Sequence, residues 1–377
     1  MRVLHTSDWH LGRSFHRESL LAAQAAFVDH LVEVVTAERV GVVAVSGDVY
    51  DRALPPVDAV KLCDEALQRL VGAGARVVLI SGNHDSARRL GFGAELIEAG
   101  GVHLRTDPAA VARPVLVDGV AFYGIPYLEP EVVRGPWELA ERSHSAALGH
   151  AMALIRADLA RRGGVASVVL AHAFVTGGAA SDSERDISVG GVAHVPLTVF
   201  DGIGYTALGH LHGRQQMSET VRYSGSPLAY SFSEAAHLKG SWLVDIDGSG
   251  FRGAEFVPAP VPRPVAELRG AIDDLLGSPA YERYTGHWLR IVLTDPVRPK
   301  GAMERLRRRF PHTLALAFEP EGGGERTRAA RPRAAGRPEI DVVLDFVREV
   351  RGEPADEAER RLLHRAIESC RLKETMA

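Results

Sequence analysis

Apolar runs of strand length alternate with stretches of helical period through roughly the first 255 residues, the pattern of an α/β unit. Residues 3–7 read as a short strand, and a helical stretch follows over about 20–37. The run from Val40 to Val45 is apolar throughout, as a strand buried on both faces would be. A helix after Pro56 carries Val57, Val60, Leu67 and Leu70, and a third strand spans 76–80. Further strands are predicted at 121–123, 168–170, 205–208 and 242–246, with a helix over 146–161.

Between 254 and 264 the pattern breaks. Pro258, Pro260, Pro262 and Pro264 alternate along a stretch that must be extended and stiff, which marks a domain boundary. A small α/β unit follows, read as helix 265–276, strand 288–293, helix 301–310 and strand 313–318. Residues 319–338 are rich in Gly, Arg and Ala without apolar period and read as a linker. Two amphipathic helices close the chain. Val343, Leu344 and Val347 share a face on the first, and Leu362, Leu363, Ala366, Ile367 and Cys370 on the second. The expected organisation is therefore a main domain over 1–255, a small domain over 264–318, a linker over 319–338 and a helical segment over 339–377. The apolar faces of the last two helices are expected to be covered by a partner rather than by their own domain.

Composition adds limits. Hydrophobic residues at 46% and charged residues at 24% suit a globular chain with a sizeable core. No apolar run approaches the ~18 residues of a membrane span, and nothing at the start resembles a secretory signal. Cys63 and Cys370 are too far apart to form a metal-binding pair and read as reduced thiols, so a cytoplasmic protein is expected. A net charge of -4 argues against coating nucleic acid by global attraction and leaves room for local basic patches. Arg305, Arg307, Arg308 and Arg309 form one such cluster, which reads equally as a phosphate-tracking surface or a solvated helix face. The arginines at 326, 328, 331, 333 and 337 read equally as DNA contacts or a charged linker.

The chemistry lies at the ends of the predicted strands. Asp8-Trp9-His10, Gly47-Asp48-Val49-Tyr50-Asp51, Gly82-Asn83-His84-Asp85, Ala171-His172 and Gly209-His210-Leu211-His212 each fall at a C-terminal strand end. Open α/β sheets gather ligands along that edge, so these pieces can converge. Imidazole, carboxylate and amide oxygen together suit a borderline divalent ion, and the lack of thiolate argues against structural zinc. Asp-x-His and His-x-His put both side chains on one side of a strand. Taken singly, each piece has an ordinary reading as a cap, a turn or a core histidine. Their joint occurrence in one chain favours a dinuclear metal site.

This series resembles the calcineurin-like metallophosphoesterases. His5-Thr6-Ser7-Asp8-Trp9-His10-Leu11-Gly12 and Tyr223-Ser224-Gly225-Ser226-Pro227 narrow the resemblance to the nuclease subunits of SbcCD-type complexes. The resemblance implies a β-sandwich flanked by helices, with a small α/β capping domain and C-terminal helices. It implies one metal among Asp8, His10, Asp48 and His212, and a second among Asp48, Asn83, His172 and His210, with Asp48 bridging. His84 would be the catalytic histidine that ligates no metal, and Asp51 would orient it. The implied cofactors are two divalent ions, Mn2+ foremost. The implied activity is cutting of DNA, as a 3'-5' double-strand exonuclease and a single-strand and hairpin endonuclease in repair and recombination. The implied partners are DNA, a coiled-coil ATPase subunit and a second copy of the chain, with no membrane and a nucleoid-associated location. The competing expectation is a small-molecule phosphodiesterase or nucleotide pyrophosphatase on the same metal core. A further rival is a non-catalytic scaffold, which a complete ligand set disfavours.

Overall fold

The strand-length apolar runs pair into two mixed six-stranded sheets in the computed structural model, which describes residues 1–188, 194–320, 338–351 and 353–376. The first sheet runs Gly250–Pro258, Gly240–Asp247, Arg2–Thr6, Val42–Ser46, Arg76–Ile80 and Val102–Arg105. Its last four strands are parallel; Gly240–Asp247 adds antiparallel to Arg2–Thr6, and Gly250–Pro258 adds antiparallel to Gly240–Asp247. The second sheet runs Gln215–Gln216, Val221–Tyr223, Tyr205–Gly209, Ala166–His172, Val120–Ile125 and Val115–Val117.

Alternation along each strand explains how the sheets stack. Val3, Val42, Ala44, Val78 and Ile80 of the first sheet share a buried cluster with Phe122, Val168, Leu170, Tyr205 and Ala207 of the second. The intervening residues Leu4, Val43, Val45, Val77 and Leu79 face outward, under the helices Leu21–Glu38 and Val57–Gly72. Helix His144–Arg161 covers the second sheet, through Ala147, Leu148, Ala151, Met152 and Ile155. The result is the β-sandwich flanked by helices that the family resemblance implies. Parallel strands end at the same edge, and that edge carries Asp8, Asp48, Asn83, His172 and His210.

The small unit departs from expectation in one element. Residues 265–276 were expected to form one helix, since Val265, Leu268, Ile272 and Leu275 recur with helical spacing. Instead Val265–Gly270 is a strand, parallel to Trp288–Leu293, and only Ile272–Gly277 is helical. The extended segment forced by the preceding prolines delivers the chain already in strand conformation. Val265 then joins Phe15, Leu20, Leu228 and Tyr230 of the sandwich, and Leu268 goes to the unit's own core around Ile291, Leu306 and Phe310. The arginine cluster in this unit is internally engaged. Arg307 donates to the Thr313 carbonyl and Arg309 to the Leu275 and Ser278 carbonyls, while Arg305 pairs with Asp273 and Arg308 with Glu304. Two of the four thus satisfy main-chain carbonyls rather than awaiting phosphate.

The closing helices are Glu339–Arg351 and Glu357–Met376. The second helix also touches its own sandwich through polar groups. Glu368 accepts a forked pair from Arg142 at 2.9 and 3.1 Å, and Arg371 donates to the Ser188 carbonyl at 2.8 Å. These contacts are ionic and polar, so they hold an edge of the helix without covering apolar surface. Phe346 and Leu362 stay exposed. The arginines at 326, 328, 331, 333 and 337 lie outside the described residues.

Candidate metal centre

Four of the predicted residues adopt backbone conformations that ordinary residues avoid. Asp8, His10, Asp48 and His210 have φ of 54°, 44°, 49° and 101°. Left-handed backbone at non-glycine residues costs on the order of 1 kcal/mol or more each and persists only where surrounding contacts impose it. Here the contacts are cross-links between the strand ends: Asp8 N–H donates to the Gly47 carbonyl at 3.0 Å and His10 N–H to the Asp48 carbonyl at 2.9 Å. The His210 N–H closes the ring of strand ends by donating to the Asp8 carboxylate at 3.1 Å.

The side chains converge as a consequence. Asp8, His10 and His212 bring ligand atoms within 4.8 Å of one another, as do Asp8, Asp48 and His172, and His10, Asp48 and His84. Asp48 therefore stands between groups, with one oxygen 3.4 Å from His172 Nε2 and 3.6 Å from His10 Nε2. Asp8 also reaches both sides, which the motifs alone did not suggest. Asn83 Oδ1 lies 2.9 Å from His172 Nε2 and 3.1 Å from His210 Nδ1, so it joins those two rings. The His210 ring meets the group through Asn83, and its main-chain N–H through the Asp8 carboxylate.

Asp51 meets His84 through its main chain. The His84 main-chain N–H donates to Asp48 Oδ1 at 2.8 Å, and its ring Nδ1 lies 2.8 Å from the Asp51 carbonyl oxygen. Asp51 thus orients the ring through its main chain. Its carboxylate instead faces His10 Nδ1 at 3.8 Å and Arg13 at 3.4 Å. Asp85, the last residue of that turn, is structural: its carboxylate accepts main-chain N–H bonds from Val49, Tyr50 and Gly82.

The donor set fits divalent ions on several counts. Seven polar side chains crowd a pocket that excludes water, which costs several kcal/mol unless each is paired. Yet His10 Nε2 and His212 Nε2 face each other at 3.1 Å. Two ring nitrogens aimed at one point, beside two carboxylates, are a nitrogen–oxygen ligand set for a borderline cation. The charges compensate in part. Burial opposes charge on His172, but the Asp48 and Asp8 carboxylates and the Ser46 carbonyl together outweigh it and lift the ring to about 9. Burial likewise pushes Asp8 up to about 6, and holds His10 and His210 well below the usual imidazole range.

Four further residues belong to the site although no strand-end motif contains them. Ser183, Glu184, Glu234 and Lys239 surround His212. The only hint in the sequence is that Lys239 is one of just 4 lysines in the chain.

A helix-flanked sandwich with a buried nitrogen–oxygen cluster on its strand-end edge is the architecture of a metal-dependent phosphoester hydrolase. Residues 1–214 match the model of the calcineurin-like phosphoesterases, and the chain belongs to that family. Similar solved structures include an archaeal phosphodiesterase, at 13% identity and a TM-score of 0.33, covering 68% of this chain and 100% of that one. A dimetal phosphatase from Danio rerio matches at 12% identity and a TM-score of 0.38, covering 69% and 99%. The anchor in the inner membrane complex of Plasmodium matches at 13% identity and 0.41, covering 86% and 98%. Among the described residues no helix is long and apolar enough to cross a membrane.

Proposed function

We propose that this chain is the nuclease subunit of an SbcCD-type complex, hydrolysing DNA phosphodiesters with two Mn2+ ions. The observation that carries this reading is the mouth of the metal centre. Asn83 and His84 open onto a cavity of about 540 Å³ whose other lining includes Arg52, Arg185 and Lys373. Three cations flanking a metal centre suit a polyanion that continues beyond the scissile bond better than a small phosphodiester. The Tyr223-Ser224-Gly225-Ser226-Pro227 segment and the small domain add to the resemblance.

On this reading Asp8, His10, Asp48 and His212 hold one ion, and Asp48, Asn83, His172 and His210 the other. Bound divalent ions would neutralise the phosphodiester's charge and acidify the attacking water. The chain's own residues supply the rest. A carbonyl only accepts, so His84 Nδ1 carries the ring's proton toward Asp51, and Nε2 is the atom left to exchange protons at the cleft. Burial keeps that ring low in pKa, which suits an atom that must give up its proton during turnover. The exposed apolar residues of the terminal helices suit an ATPase coiled coil, and Val57, Val60, Phe92 and Leu96 suit a second copy.

The test is digestion of linear duplex DNA with and without manganese, beside a small phosphodiester. Degradation that vanishes in Asp48→Ala at an unchanged melting profile supports the reading. Turnover of the small ester with intact duplex DNA would favour the rival small-molecule phosphodiesterase.

A further inference from the structure

His212 is held at every hydrogen-bonding atom except one. Its main-chain N–H donates to Glu184 Oε1 at 2.7 Å, and Ser181 in turn holds the other Glu184 oxygen at 2.6 Å. Its main-chain carbonyl accepts from Lys239 Nζ at 2.8 Å. Its ring Nδ1 lies 2.6 Å from Ser183 Oγ. Only Nε2 remains, and it faces His10 Nε2 at 3.1 Å.

Proton counting fixes the direction of these bonds. Ser183 Oγ also bonds Glu234 Oε1, and Glu234 is ion-paired with Lys239, their side chains being 0% and 3% exposed. Lys239 spends its three donors on Glu234, Ser226 Oγ and the His212 carbonyl, so it is fully satisfied as a cation. A carboxylate paired with that cation can only accept, so the Ser183 proton goes to Glu234. The hydroxyl must then accept from His212 Nδ1–H. Placing the ring proton on Nδ1 leaves Nε2 as a bare lone pair, the form a metal ligand needs.

We infer that Ser183, Glu234 and Lys239 are positioning residues that fix the ring orientation and tautomer of His212 for metal binding. The inference rests on the dinuclear reading of the site and adds to it a support drawn from two segments remote from the strand-end motifs. The buried ion pair is the anchor. It is expensive to bury, and its three-way satisfaction by Glu234, Ser226 and the His212 carbonyl makes it rigid.

The experiment is calorimetric titration of the metal-free full chain with Mn2+, with a melting curve of each metal-free variant. Ser183→Ala leaves the Glu234–Lys239 pair intact, so its metal-free melting temperature should stay near the parent's. It should weaken one of the two binding steps by about 10–100-fold, the usual worth of an outer partner of a ligating histidine. Glu234→Gln should weaken the same step, and the double variant should bind no worse than the weaker single one, since both break one relay. Parent affinity in Ser183→Ala, or losses that add in the double variant, would overturn the inference. A parent protein that binds no manganese would instead overturn the metal reading on which it rests.

Discussion

Gly82→Ala probes the metal centre through a neighbour of Asp48 that cannot grow. A Cβ at Gly82 would stand 2.1 Å from Asp48 Oδ1 and 2.3 Å from Asp48 N, where ordinary contact begins at 3.4 Å. The carboxylate oxygen must therefore recede by 3.4 − 2.1 = 1.3 Å and the main-chain nitrogen by 3.4 − 2.3 = 1.1 Å. A rotamer change relieves the first clash but not the second, so the strand end itself has to shift. Asp48 is 2% exposed and its carbonyl holds the His10 N–H, so the shift reaches both residues. Overpacking of this kind costs about 1–3 kcal/mol of stability, and displacement of a reacting group by ~1 Å costs on the order of 10²-fold in rate. Gly149→Ala is the control: it lies inside helix His144–Arg161 with nothing near its Cβ, and should stabilise by about 0.4–1 kcal/mol. The assay combines Mn2+ titration, turnover of a small phosphodiester and thermal melting. Gly82→Ala with parent affinity and parent rate would refute the claim that Asp48 is held rigidly between two metal groups.

His84→Ser should keep both ions, because the main-chain bond from residue 84 to Asp48 survives, and should slow cleavage by about 10²–10⁴-fold. Manganese stoichiometry beside single-turnover rates decides it, and loss of one ion would make His84 a ligand. Asp51→Asn retains the carbonyl that orients His84, so its effect should appear in metal affinity through His10 and Arg13 and not as a copy of the His84 defect. Truncation after Pro338 should leave the sandwich folded, since the terminal helix is tied to it by polar contacts. If the proposed coiled-coil ATPase partner docks there, truncation should abolish its capture in a pull-down, and retained capture would place that surface elsewhere. Phe92→Glu, at a side chain 84% exposed, should convert a dimeric mass in solution to a monomeric one at micromolar protein; an unchanged mass would move the interface.

Much of this protein is determined by local pattern. Strand-length runs such as Val42 to Val45 must be buried on both faces because every residue in them is apolar, and glycine-flanked acids and histidines at their ends announce a ligand-gathering edge. Where local pattern served two masters, tertiary structure decided. Val265 and Leu268 fit a helix by spacing, yet they form a strand because Trp288–Leu293 offers a ladder and the prolines deliver an extended chain. Apolar character alone does not separate Leu67 and Leu90, which pack on the core of the first sheet, from Val57 and Phe92, which point away. Asp51 was legible as a neighbour of His84, but not which of its oxygens would do the work, since a carbonyl and a carboxylate on one residue look identical in sequence. The Ser183–Glu234–Lys239 relay was illegible altogether. Its members are polar residues in non-periodic segments, and such residues are ordinarily solvated. Only the closing of two distant loops over His212 buries the glutamate and lysine and brings the half-buried serine against them, which turns three unremarkable residues into a fixed charge relay.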